Sequence, residues 1–267
     1  SDCHSSSFSL RVGPNYAKHN KKAPAGPSLY EVVGADFVRC ESRIDNFASK
    51  VNLPRDWVDI DTHHPNIPQL FVVNVQLPED FSSSFFTTKT DGAGWSLVLY
   101  FRITQAPEVF PASASSTPAG SGTGGNSSTP FKTRAGTPSP SPGGSSSSGS
   151  SPWAGRFKII LRCEDIEKFG LPSFITAYNS KPVLIRNTGT LIRYESCGGA
   201  HYVEMDINVH KFASLPKRAL ESMFNRFDKM VFSAAFCVES RTDEEMPEAL
   251  FGAAQINFPT HTRTPHW

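Results

Sequence analysis

The chain has 267 residues, 38% of them hydrophobic and 19% charged, with 20 Phe and a formal net charge of +1. A chain this rich in aromatics is not a disordered polymer, and without a basic excess it lacks the phosphate-neutralising charge on which nucleic-acid binding rests. Cys3, Cys40, Cys163, Cys197 and Cys237 are scattered with no CxxC pair, which argues against a disulfide framework or zinc site and for buried, reduced thiols.

The start, Ser1-Asp2-Cys3-His4, has neither the basic nor the apolar region of a signal peptide. It also lacks an initiator Met, so a larger parent protein is expected. The first strand is expected at Ser9–Val12. Lys18-His19-Asn20-Lys21-Lys22 follows as a short basic loop between Tyr16 and Pro24. It reads either as ordinary solvated surface or as a holder of anionic lipid headgroups, each basic residue near a charged membrane contributing about 1 kcal/mol. A strand over Leu29–Val38 and a helix over Arg43–Lys50 come next.

Asp59-Ile60-Asp61-Thr62-His63-His64 gathers four possible metal ligands in six residues, but at no spacing with a stated mechanism. With Pro65 and Pro68 behind it, it reads as an exposed loop. Leu70–Leu77 is nearly continuously apolar, as a central strand would be. Gly92-Ala93-Gly94-Trp95-Ser96-Leu97-Val98 has a superficial likeness to a hydrolase nucleophile elbow, but Val98 stands where the second Gly is needed. A tight turn opening a strand is the better reading. In Trp95–Ile103 the odd-numbered apolar residues share one face, the period of two of a sheet strand.

From Pro107 to Pro152 the sequence is almost wholly Ser, Gly, Thr, Pro and Ala. Such a tract buries too little apolar surface to offset its conformational entropy, so a disordered insertion is expected at 107–152 within one domain spanning 1–267. Loop closure costs grow only logarithmically with length; the flanking Ile103 and Phe157 are then expected near the surface of the same fold. Thr117-Pro118, Ser139-Pro140 and similar pairs would suit proline-directed phosphorylation, although any such tract produces them by chance.

Beyond the insertion, short helices are expected at Glu164–Phe169 and Ser173–Tyr178, and strands at Pro182–Arg186 and Thr190–Tyr194. In Tyr202–Val209, Val203, Met205, Ile207 and Val209 are read as facing inward, and Glu204, Asp206 and Asn208 outward. A helix capped by Ser214, with Pro216 in its first turn, repeats Leu215, Ala219, Leu220, Met223, Phe224 and Phe227 at helical spacing. It docks on the sheet, although Lys217, Arg218, Arg226 and Lys229 would also suit a membrane surface. Met230–Glu239 and Leu250–Phe258 pair as antiparallel strands across Ser240–Glu248, where Asp243-Glu244-Glu245 is read as a solvated turn. The longest apolar run, Val231–Val238, falls far short of the ~18 residues of a membrane-spanning helix. Strands outnumbering helices without βαβ alternation give an α+β domain: a mostly antiparallel sheet, a few packed helices and one long disordered insertion.

The ordered segments resemble one family in order and spacing. Phe8–Tyr16, Lys21-Lys22-Ala-Pro24, Leu29–Asp36, Arg43-Ile-Asp45, Leu70–Pro78, Asp91-Gly92 with Gly94, and Ser96–Phe101 look like the opening of the C-terminal domain of the plant Enhanced Disease Resistance 2 family. Arg156-Phe-Lys158, Ser180–Leu184, Tyr202–Ile207 and Met246–Gly252 continue the likeness beyond the insertion. The long insertion and the extra residues at Cys163–Gly170 depart from the plant pattern, which points to a distant, protist or algal member.

The resemblance implies a non-enzymatic regulatory module of a lipid- or membrane-associated protein. It would act with neighbouring START or pleckstrin-homology domains, in the cytoplasm and peripheral to membranes. It implies no catalytic residues, no metal and no cofactor. If headgroups bind, Lys18, Lys21 and Lys22 are the expected contacts; no nucleic-acid partner is expected. A protein-interaction or scaffolding domain without lipid binding is the alternative. A hydrolase or metal-dependent enzyme would need Ser96 or the Asp59–His64 run in a concave site.

Overall fold

The computed structural model describes residues 3–57, 67–81, 90–104, 155–195 and 201–267. The expected insertion at 107–152, the Asp59–His64 run and Cys197 lie outside the described residues.

Strands dominate: β1 (Ser9–Arg11), β2 (Lys22–Pro24), β3 (Tyr30–Cys40), β4 (Leu70–Pro78), β5 (Gly94–Ile103), β6 (Phe157–Cys163), β7 (Pro182–Leu184), β8 (Gly189–Glu195), β9 (His201–Asn208), β10 (Val231–Val238) and β11 (Leu250–Asn257). The α-helices are α1 (Tyr16–His19), α2 (Ser173–Thr176) and α3 (Ser214–Phe224). The fold is α+β and mostly sheet.

Five strands form one sheet in the order β3-β5-β4-β9-β8, and four form a second in the order β11-β10-β6-β7. Every pairing is antiparallel except β4 with β9, which run parallel from Leu70↔Tyr202 to Gln76↔Asn208. That pairing joins strands from both sides of residues 105–154 in a single sheet. β5 and β6, the strands that flank those residues, belong to opposite sheets.

The sheets face each other across an aromatic interior. Phe71 lies within 6.0 Å, ring centre to ring centre, of Phe101, Phe157, Phe236 and Phe251, which come from both sheets. Burying each such ring stabilises by about 1.5–3 kcal/mol. Ile103 and Phe157, expected near the surface, are instead part of this interior, at 4% and 2% exposure. Each is the inward residue of an alternating strand, so the chain leaves the core only beyond them. β2 and β6 were not anticipated as strands.

The outer faces are covered too. Residues 41–57 lie over the five-stranded sheet, with Phe47 and Ala48 against Leu70, Val72, Val98 and Tyr100. The β1–β2 hairpin lies over the four-stranded sheet, with Phe8 and Leu10 against Ile160, Ala235, Cys237 and Ala253. At one end α3 packs Phe224 against Trp95, Leu77 and Phe81. It docks on the sheet as expected, but its first turn is rotated: Leu215 is exposed and Lys217 buried. The N-cap is Ala213, with Ser214 the first helical residue. The helix expected at Arg43–Lys50 is only a 3-10 turn at Phe47–Lys50, and the segment expected at Glu164–Phe169 is a 3-10 turn at Ile166–Phe169.

Candidate functional site

Between Cys3 and Tyr30 the chain carries Arg11, Lys18, Lys21 and Lys22 and no acidic residue. β1 and β2 pair in the register Ser9↔Pro24 to Arg11↔Lys22, which leaves residues 12–21 as the connection at the tip of the hairpin. Asn15 and Asn20, both left-handed (φ 60° and 50°), bound α1 within that tip, a conformation asparagine tolerates better than most residues. Lys18, Lys21 and Lys22 are all exposed. Lys18 lies on α1, Lys21 just precedes β2 and Lys22 opens it.

Beneath the tip is a buried ion cluster. Lys158 on β6 donates to both Glu248 oxygens at 2.6 Å. Arg11 Nε donates to Glu248 Oε1 at 2.6 Å, and Arg11 Nη2 to the Ser240 carbonyl at 2.7 Å. Backbone bonds close the ring, Ser240 N–H donating to Glu248 Oε1 and Glu248 N–H to the Arg11 carbonyl. Burial alone would raise the Glu248 pKa, but hydrogen bonds from Arg11 and Lys158 outweigh it and hold the carboxyl below its ordinary range. The hairpin is thus fastened at its base, and Gly13 of its connection packs against Met246 beside the Asp243–Glu245 turn. Nor is the Asp243–Glu245 run simply a solvated turn: Glu245 accepts from Arg156 at 2.8 Å and from the Arg241 N–H.

A second polar cluster lies on the outer face of the five-stranded sheet. Strand register sets Asn74 beside Asp206 and Gln76 beside Asn208. Glu204, Asp206 and Asn208, expected to face outward into solvent, are 0%, 2% and 3% exposed. They do face outward from the interior, but residues 41–57 cover Glu204 and Asp206, and Asn208 donates its amide to the Thr90 carbonyl. Glu204 accepts the Phe47 and Ala48 N–H groups at 2.8 and 2.9 Å. Asp206 accepts the Asn46 N–H at 3.0 Å and the Asn74 amide at 2.7 Å. Tyr202 donates its hydroxyl to the Asn46 side chain, and the Asn74 and Gln76 amides donate to the Ile44 carbonyl. Burial, then the adjacent charge of Glu204 and a hydrogen bond with it, pushes the Asp206 carboxyl up to about 9. The upward shift favours the protonated form of Asp206, which spares the site a second buried charge. The signal available in the sequence was the pair Asn74 and Gln76, same-face polar residues in a strand otherwise read as central.

Ser96 lies on β5 at 2% exposure, in a concavity of about 10 Å³ shared with Cys40, Arg43, Gln76 and His210. That is room for about one water, with none for an acyl substrate. Gly94 sits there for a packing reason: a Cβ would fall 2.0 Å from the Leu77 carbonyl oxygen. A larger hollow of about 530 Å³ is lined by Arg162, Cys163, Glu164, Asp165, Ile166, Glu167 and Asn179. Its thiol is poorly nucleophilic, since burial and then the charges of Glu164 and Asp165 push Cys163 up to about 11.

Residues 1–258 match the family described as Protein ENHANCED DISEASE RESISTANCE 2, C-terminal. The chain belongs to this family. No curated protein and no solved structure matches it. The Enhanced Disease Resistance 2 C-terminal match takes in both the hairpin with its ion cluster and the polar cluster under residues 41–57. It stops at residue 258, the residue after β11.

Proposed function

We propose that the domain is a non-enzymatic regulatory module of a lipid- or membrane-associated protein, which meets anionic headgroups through Lys18, Lys21 and Lys22. The observation that carries this reading is the hairpin itself: an acid-free, exposed cationic tip on a base fastened by a buried ion cluster. The fastened base ties the short connection that carries all three lysines to the four-stranded sheet. The aromatic filling between the sheets favours contact at a membrane surface over carriage of an acyl chain inside. A concavity beside Ser96 with room for about one water favours a binding role over hydrolysis. No helix among the described residues is long and apolar enough to cross a membrane.

Flotation with vesicles containing phosphatidylserine tests the site. At about 1 kcal/mol per lysine, changing all three to Glu weakens partitioning at least about a hundredfold, and added salt weakens the wild-type protein in the same direction. Undiminished flotation of the triple variant removes the site.

A second reading, a protein-interaction module, has its own observation. Leu161, Phe174, Tyr178 and Val183 are four of the seven exposed large apolar side chains among the described residues. All four fall on β6, α2, β7 and their connections, at an edge of the four-stranded sheet. Concentrated apolar exposure of this kind suits a neighbouring domain. Loss of binding to an adjoining START or pleckstrin-homology domain on Tyr178→Ser with Val183→Ser, with flotation unchanged, would favour it.

A further inference from the structure

After β11 the chain turns at Phe258, which is left-handed (φ 49°) and donates its N–H to the Met230 carbonyl. It then runs back along the molecule and makes three separate attachments. His261 lies with its ring 4.4 Å from that of Phe224 and 5.6 Å from that of Trp95. At Arg39, near the end of β3, the strap adds a short parallel bridge. The Arg39 N–H donates to the Pro265 carbonyl at 2.8 Å, and the Trp267 N–H to the Arg39 carbonyl at 2.9 Å. The Trp267 ring packs on Phe47 at 4.6 Å while staying 52% exposed.

β3 is an edge strand of its sheet, so the bridge occupies backbone groups that a second strand would otherwise seek. An extended segment added at a sheet edge, with side chains seated in flanking pockets, is a recurring way to recognise a peptide. The strap differs from the body it lies on. Its residues are mostly half-buried or exposed, its attachments are few, and the family match ends at residue 258.

We infer that residues 259–267 are a displaceable ligand bound in cis, in a peptide seat formed by Arg39 of β3, Phe47 and the Trp95–Phe224 pair. The seat takes a segment with a 3-10 turn that opens on a histidine or aromatic ring, then a short extended bridge to Arg39, and a tryptophan six residues after that ring. Phe47 belongs to the segment that Glu204 holds on the sheet, so the seat and the polar cluster share a wall.

The test uses the whole chain and a fluorescein-labelled peptide of residues 258–267 as probe. The His261→Ala/Trp267→Ala variant, its own strap weakened, is expected to bind the probe. The wild-type chain binds it at least about tenfold more weakly, the reduction expected when the strap fills the seat about nine-tenths of the time. A probe carrying alanine at both anchor positions does not bind. Failure of the native probe to bind a folded variant overturns the inference. So does a wild-type dimer formed by exchange of straps, which would put the occupant in trans. If the variant does not fold, hydrogen exchange on the wild-type chain decides. Exchange of the Trp267 and Arg39 amides well before those of β4 and β5 supports displacement, and exchange at the rate of global unfolding overturns it.

Discussion

Replacing Asp206 with Asn tests the polar cluster that fastens residues 41–57 to the sheet. Unfolded, Asp206 has the ordinary carboxyl value of 3.8; folded, it is pushed up to about 9. A raised acid favours the protonated folded state, so its contribution is complete below pH 4 and is lost as pH rises towards the folded value. Between pH 7 and pH 8 the unfolded chain has released this proton and the folded chain still holds it. One proton of difference lowers stability by about 1.4 kcal/mol per pH unit. Other shifted groups do little in that window. Glu248, Asp91 and Glu245 are held low and act below pH 4.5, and burial lowers His210, whose effect falls below pH 6.5. In urea denaturation followed by Trp fluorescence, with a slope of about 3 kcal/mol per molar, the wild-type midpoint falls by about 0.5 M from pH 7 to pH 8. In Asp206→Asn the fixed amide mimics the protonated acid, donating towards Glu204 and accepting from Asn46. Its midpoint is expected to hold constant across the window, and its stability at pH 7 to lie within about 1.5 kcal/mol of wild type, one hydrogen bond's worth. Equal wild-type midpoints at the two pH values, or the same shift in the variant, would refute the protonated Asp206.

Two further predictions concern the other buried groups. Glu248→Gln leaves Lys158 buried without its counter-ion and is expected to cost about 3–5 kcal/mol, with faster proteolytic cleavage in residues 12–22. Adding Lys158→Met removes the stranded charge and recovers part of the loss, and thermal melts of the single and double variants measure both. Cys40, Cys163 and Cys237 are buried, and burial pushes Cys163 and Cys237 up to about 11 and 12. Iodoacetamide labelling followed by mass spectrometry should modify the half-buried Cys3 before Cys40, Cys163 and Cys237; labelling of Cys237 in the folded protein at the rate of Cys3 would contradict its burial.

Where one side of a strand alternates cleanly, the sequence is a sufficient guide. Trp95–Ile103, Tyr202–Val209 and the Met230–Glu239 and Leu250–Phe258 pair are strands in the structure, because a period of two has one good solution. Faces covered by irregular chain were not legible. Glu204, Asp206 and Asn208 carry the same polar signature whether they meet water or the N–H groups of residues 46–48, and local pattern cannot tell these apart. β6 went unanticipated because Ile159, Ile160 and Leu161 run without alternation: Ile159 faces the interior, Ile160 the hairpin, and Leu161 is exposed. Lys217 misled for another reason. Lys217 is buried near enough to His210 for its charge to lower that residue's pKa, after burial, so helical spacing put the wrong residue of the first turn inside.

The two outer faces are fastened by one chemical device. An irregular segment lying on a sheet brings N–H groups that no neighbouring strand satisfies, and a buried unpaired donor costs about 1–3 kcal/mol. On one face Glu204 and Asp206 accept three successive N–H groups from residues 46–48; on the other Glu248 accepts backbone and cationic donors around Arg11. This separation of fastening from function makes the headgroup proposal tractable. Lys18, Lys21 and Lys22 take no part in the ion cluster, so charge reversal at the tip should leave folding intact while changing what the tip attracts. Loss of Glu248 should do the reverse, loosening the hairpin while its charge stays the same. If the fixed arrangement of the three lysines matters, Glu248→Gln weakens flotation despite an unaltered tip. If only their summed charge matters, flotation survives in that variant and fails only when the lysines themselves are changed.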